Sequence, residues 1–443
     1  MPREKPAPGR IQPAPEGFLG PTHIESVRKG RRGFLKRALA SASAAVAGAA
    51  AAQGAFKGES EILELPAHTK GLGQPVAARE YGMPSQFERG LQRRESPGLT
   101  RVSAASVSFA PLQGMFGIIT PSGLHFERHH QGWWDVDPAR HRLMVMGLVK
   151  QAKVFTMDDL MRLPAVSRMH FIECGANTGM EWGNVAVPTV QYSHGMISCC
   201  EYTGVRLSTL LEHCGFDRRN GKFVLAEGAD GSSMTRTIPM DRALDDVMVA
   251  YAMNGEMLRP ENGYPLRLFT PGWEGNTSVK WLRRLKLGDK PWHLRSETAR
   301  YTDPMPDGKW RQFSMEMECK SVVTSPSGGM KIKPGTIEIL GFAWSGNGSI
   351  RAVDVTLDGG RTWREARLEE PVLDKTLTRF RLTVKWDGAP MTIASRAMDS
   401  TGYVQPTVDD IKKVRAIVGF VQHHNAIFPW DVAASGEVSN AIG

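Results

Sequence analysis

The sequence predicts an α+β chain with two folded domains, a mixed α/β domain over residues 106–317 followed by an immunoglobulin-like β-sandwich over 318–443. Three observations carry this. Strand-like and helix-like hydrophobic patterns alternate between 106 and 317. From 318 the texture changes to short β-type runs broken by Gly, Pro and Asp. Ahead of both lies a basic, Ala-rich leader that has to be set aside before the fold is read. A length of 443 residues is too great for one ordinary core and fits two domains plus extensions.

The leader occupies residues 1–52. It holds nine Lys/Arg against three Asp/Glu, so +6 of the formal +9 sits there. The remainder carries too little charge for a nucleic-acid footprint. A basic start, the pair Arg31-Arg32, and an uncharged stretch from Ala38 to Ala52 have the order of a twin-arginine export signal, with cleavage expected near Ala52/Gln53 and a periplasmic address. Residues 53–105, rich in Gly, Pro, Arg and Glu, read as an extended arm. No run of about 18 strongly apolar residues suggests a permanent span.

Within the α/β domain, Ser167–Glu173 is expected to be a strand and Arg206–Cys214 a short amphipathic helix ended by Gly215. Phe223–Glu227 and Pro265–Phe269 are expected to be further strands. In the sandwich the expected strands are Thr336–Trp344, Ala352–Leu357, Thr362–Leu368, Arg379–Trp386 and Met391–Met398. Asp358-Gly359-Gly360 supplies a hairpin turn between the second and third.

Five cysteines, Cys174, Cys199, Cys200, Cys214 and Cys319, are few and odd in number, so at least one thiol is free in an oxidising compartment. No C-x-x-C-H haem site or zinc-type Cys/His spacing occurs in the sequence. Cys174 ends a strand and precedes the small-residue turn Gly175-Ala176-Asn177, where a ligand can approach the backbone. A thiolate there is a soft donor suited to a redox metal. Taken alone, a single buried cysteine such as Cys174 reads more often as a small hydrophobe than as a ligand, and only the accompanying motifs reverse that. Adjacent Cys199 and Cys200 read as packing residues beside a short helix. His423-His424 reads as a polar tail or partner surface rather than a metal pair, since neighbours on a strand face opposite ways. Trp133-Trp134 reads as core, or as a lid.

Several motifs together resemble the sulfite oxidase family of molybdopterin enzymes, over roughly residues 106–430 and in that family's order. Glu173-Cys174-Gly175-Ala176-Asn177 resembles its Cys-Ala-Gly-Asn, and Phe126-Glu127-Arg128-His129-His130 its Phe-x-Arg-Asn-His. Asn254-Gly255-Glu256, Gly263-Tyr264-Pro265-Leu266-Arg267, Pro271-Gly272-Trp273 and Ser278-Val279-Lys280-Trp281-Leu282 resemble its central signature. The resemblance implies a molybdenum–molybdopterin cofactor (Mo-MPT), with Cys174 as metal ligand and no haem in this chain. It implies that Phe126, Arg128, His129, His130, Asp230, Asn262, Arg267, Ser278, Val279 and Lys280 contact the cofactor, that Arg128 also binds substrate, and that the sandwich dimerises.

Several positions depart from the sulfite-oxidising pattern. Thr178-Gly179 stands where those members carry a second arginine, the family's tyrosine aligns near Met234, His129 replaces an Asn, and Asn262 replaces a cofactor-contacting His. Fewer cations suit a bulkier, less charged sulfur group. Met180-Glu181-Trp182-Gly183, Val421-Gln422-His423-His424-Asn425-Ala426 and Trp430-Asp431-Val432 resemble the SoxC-type members, the molybdenum subunits of bacterial Sox sulfur-oxidising systems. That resemblance implies a sulfane dehydrogenase subunit acting on a sulfur carrier protein's cysteine, with a SoxD-like dihaem c-type cytochrome as electron acceptor and a homodimer within a heterotetramer. The alternatives are a sulfite dehydrogenase, a reductase of S- or N-oxides with the same fold, and a cofactor-free secreted binding module.

Overall fold

The computed structural model describes residues 84–96, 103–179, 187–312, 314–415 and 423–441. The leader, most of the arm and Met180-Glu181-Trp182-Gly183 lie outside the described residues. From Ser85 on, the chain forms one compact unit.

The α/β half is built from two five-stranded sheets with short helices between strands. The first sheet is antiparallel and runs Glu256–Met257, Met248–Met253, Ile197–Arg206, Ala165–Glu173, with Arg267–Phe269 also pairing to Met248–Met253. The second runs Lys153–Phe155, Leu143–Gly147, Leu282–Gly288, Phe223–Gly228, Thr235–Pro239, and only its Leu143–Gly147/Leu282–Gly288 pair is parallel. The expected helix is Leu207–His213, and its Leu207, Leu210 and Leu211 share one buried apolar cluster with Val145, Val224 and Leu285 of the second sheet. Gly215, at φ +63, lets the chain turn away from it. The strand expected from Pro265 begins at Arg267.

The sandwich pairs a four-stranded sheet (Lys320–Ser325, Gly335–Trp344, Thr378–Trp386, Arg367–Glu369) with a five-stranded one (Arg364–Glu365, Ile350–Thr356, Met391–Asp399, Pro429–Val432, Val438–Asn440). The Asp358 turn forms as expected, its carboxylate accepting from Thr356 and Thr362 while Gly359 and Gly360 take positive φ. The single strand expected over Thr362–Leu368 is in fact two short strands in different sheets. Arg364–Glu365 pairs with Ile350–Thr356 and Arg367–Glu369 with Thr378–Trp386. Between them Ala366 is buried, its N–H donating to Val353 O at 2.8 Å, so the chain changes sheets by turning one small residue inward.

One apolar core joins the α/β half to the sandwich without a break at 317. Phe109, Phe171, Tyr202 and Phe269 belong to the same cluster as Val322, Phe342, Trp344 and Trp430. Cys199 and Cys200 are free thiols within it, both buried mid-strand rather than beside a helix, because this sheet is covered on both faces.

His423 and His424 correct the sequence reading, because both are buried rather than forming an exposed tail. His423 Nε2 accepts the Glu318 N–H at 3.0 Å, and His424 O accepts the Thr178 hydroxyl at 2.7 Å. Burial holds His424 down to about 3. Trp133 and Trp134 are not core, being 56% and 54% exposed on a segment with no regular structure, where chain runs over the surface.

Candidate active site

A cleft partly open to solvent brings together every site residue expected from sequence: Phe126, Arg128, His129, His130, Cys174, Asp230, Asn262, Arg267, Ser278, Val279 and Lys280. Ile172, Ser232, Met234, Gly275, Trp281 and Tyr301 complete much of the wall.

Cys174 reaches the cleft because Ala165–Glu173 starts exposed and ends buried, driving its last residues inward. Its N–H donates to Met196 O at 3.0 Å, and its carbonyl accepts the Asn177 N–H at 2.8 Å, closing the turn. Gly275 lies alongside so closely that a Cβ there would stand 2.8 Å from Glu173 O. Burial pushes the Cys174 thiol up, while the Arg128 guanidinium and the Ala176 N–H pull the other way. Such a thiol keeps its proton until a metal displaces it.

Three cations converge on the cleft. Arg128 comes from the short strand Glu127–Arg128 and donates to the His129 carbonyl. Arg267 is buried, with Nη1 donating to Asn262 O and Nη2 to Ser278 O, both at 2.9 Å. Lys280 Nζ contacts His129 Nδ1 at 2.9 Å and donates to Glu261 O at 3.1 Å and Arg128 O at 3.3 Å. Burial, then the Arg267 charge, brings the Lys280 amine down to about 7. His130 is exposed at its outer side, and partial desolvation against the cleft followed by the Arg128 and Lys280 charges brings it down to about 4, so it is a neutral imidazole at pH 7. Ser278 Oγ accepts the Thr270 N–H at 3.0 Å, fixing the backbone that presents Val279 to the cleft.

The donor set fits a phosphorylated pterin. Arg267 Nε, Asn262 Oδ1 and Asp230 Oδ1 are buried polar atoms with no partner, all on residues lining this cleft. Such atoms cost about 1–3 kcal/mol each unless a ligand satisfies them. A polar ring edge can meet the two acceptors, and a phosphate can meet the cations.

The family models match where the cleft and the sandwich lie. The oxidoreductase molybdopterin binding domain matches residues 130–295, and the Mo-co oxidoreductase dimerisation domain matches 311–429. Sulfite oxidase of Gallus gallus is 32% identical over 330 residues, covering 69% of this chain and 72% of that enzyme. The chain belongs to the sulfite oxidase family of molybdopterin oxidoreductases. Mitochondrial sulfite oxidase of Mus musculus is 30% identical, and the match spans 61% of its length and 69% of this chain. The crystal structure of the sulfane dehydrogenase SoxCD from Paracoccus pantotrophus contains a chain 46% identical to this one. That chain superposes with a TM-score of 0.83 over 87% of this chain and 99% of its own length.

Within this family frame, two departures resolve structurally. Thr178 is buried at φ +65, its hydroxyl accepting from Lys320 Nζ at 2.9 Å and donating to His424 O at 2.7 Å, so the threonine side chain does not line the cleft. A tyrosine does line the cleft, at Tyr301, and Met234 lines it as well. Burial pushes the Tyr301 phenol up, and the Arg236 guanidinium lies 5.2 Å from its ring centroid. Sequence reasoning missed Tyr301 because it sits in an irregular stretch between Arg295–Thr298 and Thr302–Pro304. The one available signal was its rarity, seven tyrosines in the whole chain.

Proposed function

We propose that this chain is the molybdenum subunit of a periplasmic sulfane dehydrogenase. On this reading it oxidises sulfane sulfur held on the cysteine of a sulfur carrier protein and passes electrons to a c-type cytochrome on a separate chain. The observation that carries the reading is the cleft itself: Cys174, Arg128 and a slot of buried cations meet in a fold 46% identical to a chain of a sulfane dehydrogenase, and position 178 adds no second arginine. Bound there, the cofactor supplies oxygen-atom transfer and a two-electron sink. The chain's own residues do the rest. Cys174 binds the metal, Arg267, Lys280 and the backbone at Val279 hold the pterin phosphate, and Asp230 and Asn262 take its ring edge. Arg128, beside Cys174, orients an anionic or persulfidic sulfur, and neutral His130 leaves the cationic field to the arginine and lysine.

Sulfite dehydrogenation is the second reading, favoured by the sulfite oxidase relatives. Purified enzyme assayed with sulfite and with a carrier-bound persulfide, using cytochrome c as acceptor, separates the two. The sulfane reading expects turnover of the persulfide. Rapid oxidation of sulfite with none of the persulfide overturns it, and protein lacking molybdenum overturns both.

A further inference from the structure

Directly behind Cys174 lies a buried ion pair that joins the α/β half to the sandwich. Glu173, the residue before the thiol, is 0% exposed and Lys320 is 1% exposed. Glu173 Oε1 accepts from Lys320 Nζ at 2.8 Å and from Asn177 Nδ2 at 3.0 Å, and Oε2 accepts from Trp344 Nε1 at 2.7 Å. Lys320 and Trp344 are register partners on neighbouring sandwich strands, so two adjacent strands aim at one carboxylate. Lys320 also donates to Thr178 Oγ1 at 2.9 Å, so a single ammonium grips both ends of the turn that carries Cys174. Asn177 anchors the middle, donating to His194 O at 3.0 Å and accepting from Met196 N–H at 3.1 Å.

We infer that Glu173 and Lys320 are positioning residues for the Cys174 sulfur, with the sandwich supplying the cation that sets where the metal ligand stands. The inference rests on the cofactor reading above. A boundary that needed only adhesion would gain as much from hydrocarbon, because a buried ion pair contributes little stability over well-packed apolar groups. What the pair adds is direction. A carboxylate with both oxygens satisfied fixes the last peptide of the strand, and groups behind a ligand tune the metal through the ligand's placement.

The test compares wild-type holoenzyme with Lys320→Met and with the charge-balanced double variant Glu173→Gln/Lys320→Met. It measures molybdenum content, the Mo(V) electron paramagnetic resonance spectrum during stepwise dithionite reduction, and turnover per bound molybdenum of a small-molecule persulfide. Both variants are expected to show displaced g-values and a kcat lower by about 10- to 100-fold, with KM little changed. If Lys320→Met does not fold, the double variant, which strands no charge, decides by the same readouts. A wild-type Mo(V) spectrum in a folded variant, or activity lost only in proportion to molybdenum, overturns the inference and leaves the cofactor reading standing. Wild-type protein without molybdenum overturns both.

Discussion

Replacing Thr178 by arginine, the residue type that sulfite-oxidising members carry after the cysteine motif, is expected to break the loop rather than create an anion site. Thr178 is buried, and its hydroxyl is shared between Lys320 Nζ at 2.9 Å and His424 O at 2.7 Å. Removing it takes one hydrogen bond from each of two buried groups, at about 1 kcal/mol each, while Lys320 keeps Glu173. Forcing a larger side chain into the space adds about 2 kcal/mol more. The new cation would also lie against Lys320, which raises the cost further. A loss of about 4 kcal/mol or more is a large share of the stability of an ordinary domain. Calorimetric melting of Thr178→Arg should therefore show a large drop in midpoint or no folded protein. Thr178→Ser keeps the hydroxyl and removes a β-branched side chain from φ +65, so it should melt near wild type. If Thr178→Arg melts like wild type and lowers KM for sulfite, the claim that position 178 belongs to a buried lock is wrong.

Cys174→Ala should abolish molybdenum retention and turnover while leaving the fold intact, since the turn's backbone hydrogen bonds do not use the sulfur; elemental analysis and circular dichroism check this. Lys280→Met should remove a pH dependence of stability from the cofactor-free protein. Because Lys280 is lowered from 10.5 to about 7, the unfolded chain holds a proton in that window that the fold does not. Wild-type stability should then rise with pH by up to about 1.4 kcal/mol per unit between those values, with the penalty complete below the lower one. Urea denaturation on the two sides of pH 8.5 reads the slope, and equal slopes in wild type and variant refute it. Arg31→Lys/Arg32→Lys should retain the protein in the cytoplasm on cell fractionation, as the export reading requires.

The parts legible in the sequence were those encoded by contiguous residues. Phe126–His130, Cys174–Asn177 and Ser278–Lys280 are each a few positions long, and each brings its expected side chains to the cleft wall because a strand or turn carries them there, Cys174 alone from the second and all three residues from the third. The sandwich was legible for the same reason, since alternation and glycine turns act over a few residues. What stayed hidden depends on long-range packing. Glu173 meets Lys320 across 147 positions and Trp344 across 171, and neither partner carries a local mark. His423-His424 looks like a polar pair in sequence, yet both side chains are buried, and one gives its carbonyl to a loop 246 positions away. The split at Ala366 was unreadable because a strand that changes sheets keeps its β pattern on both sides of the change.

The two sets of buried charges in this chain are built on opposite principles, which separates scaffold from site. Behind Cys174, Lys320 is matched to a carboxylate whose two oxygens are both engaged. In the slot, Arg267 and half-buried Lys280 are held mainly by carbonyl oxygens and make no ion pair at contact distance among the described residues, although Glu127 and Asp230 act on Lys280 from farther off. Burial and their mutual repulsion lower the lysine. A fold selected for stability alone would neutralise that pair, as it neutralised the other. Leaving it only partly compensated makes the cofactor-free protein less stable, and makes a phosphorylated ligand the group that relieves the cost. Affinity for the cofactor and the instability of the vacant slot then have a single physical origin, so a variant that stabilises the empty protein at Arg267 or Lys280 should do so by weakening its hold on the cofactor.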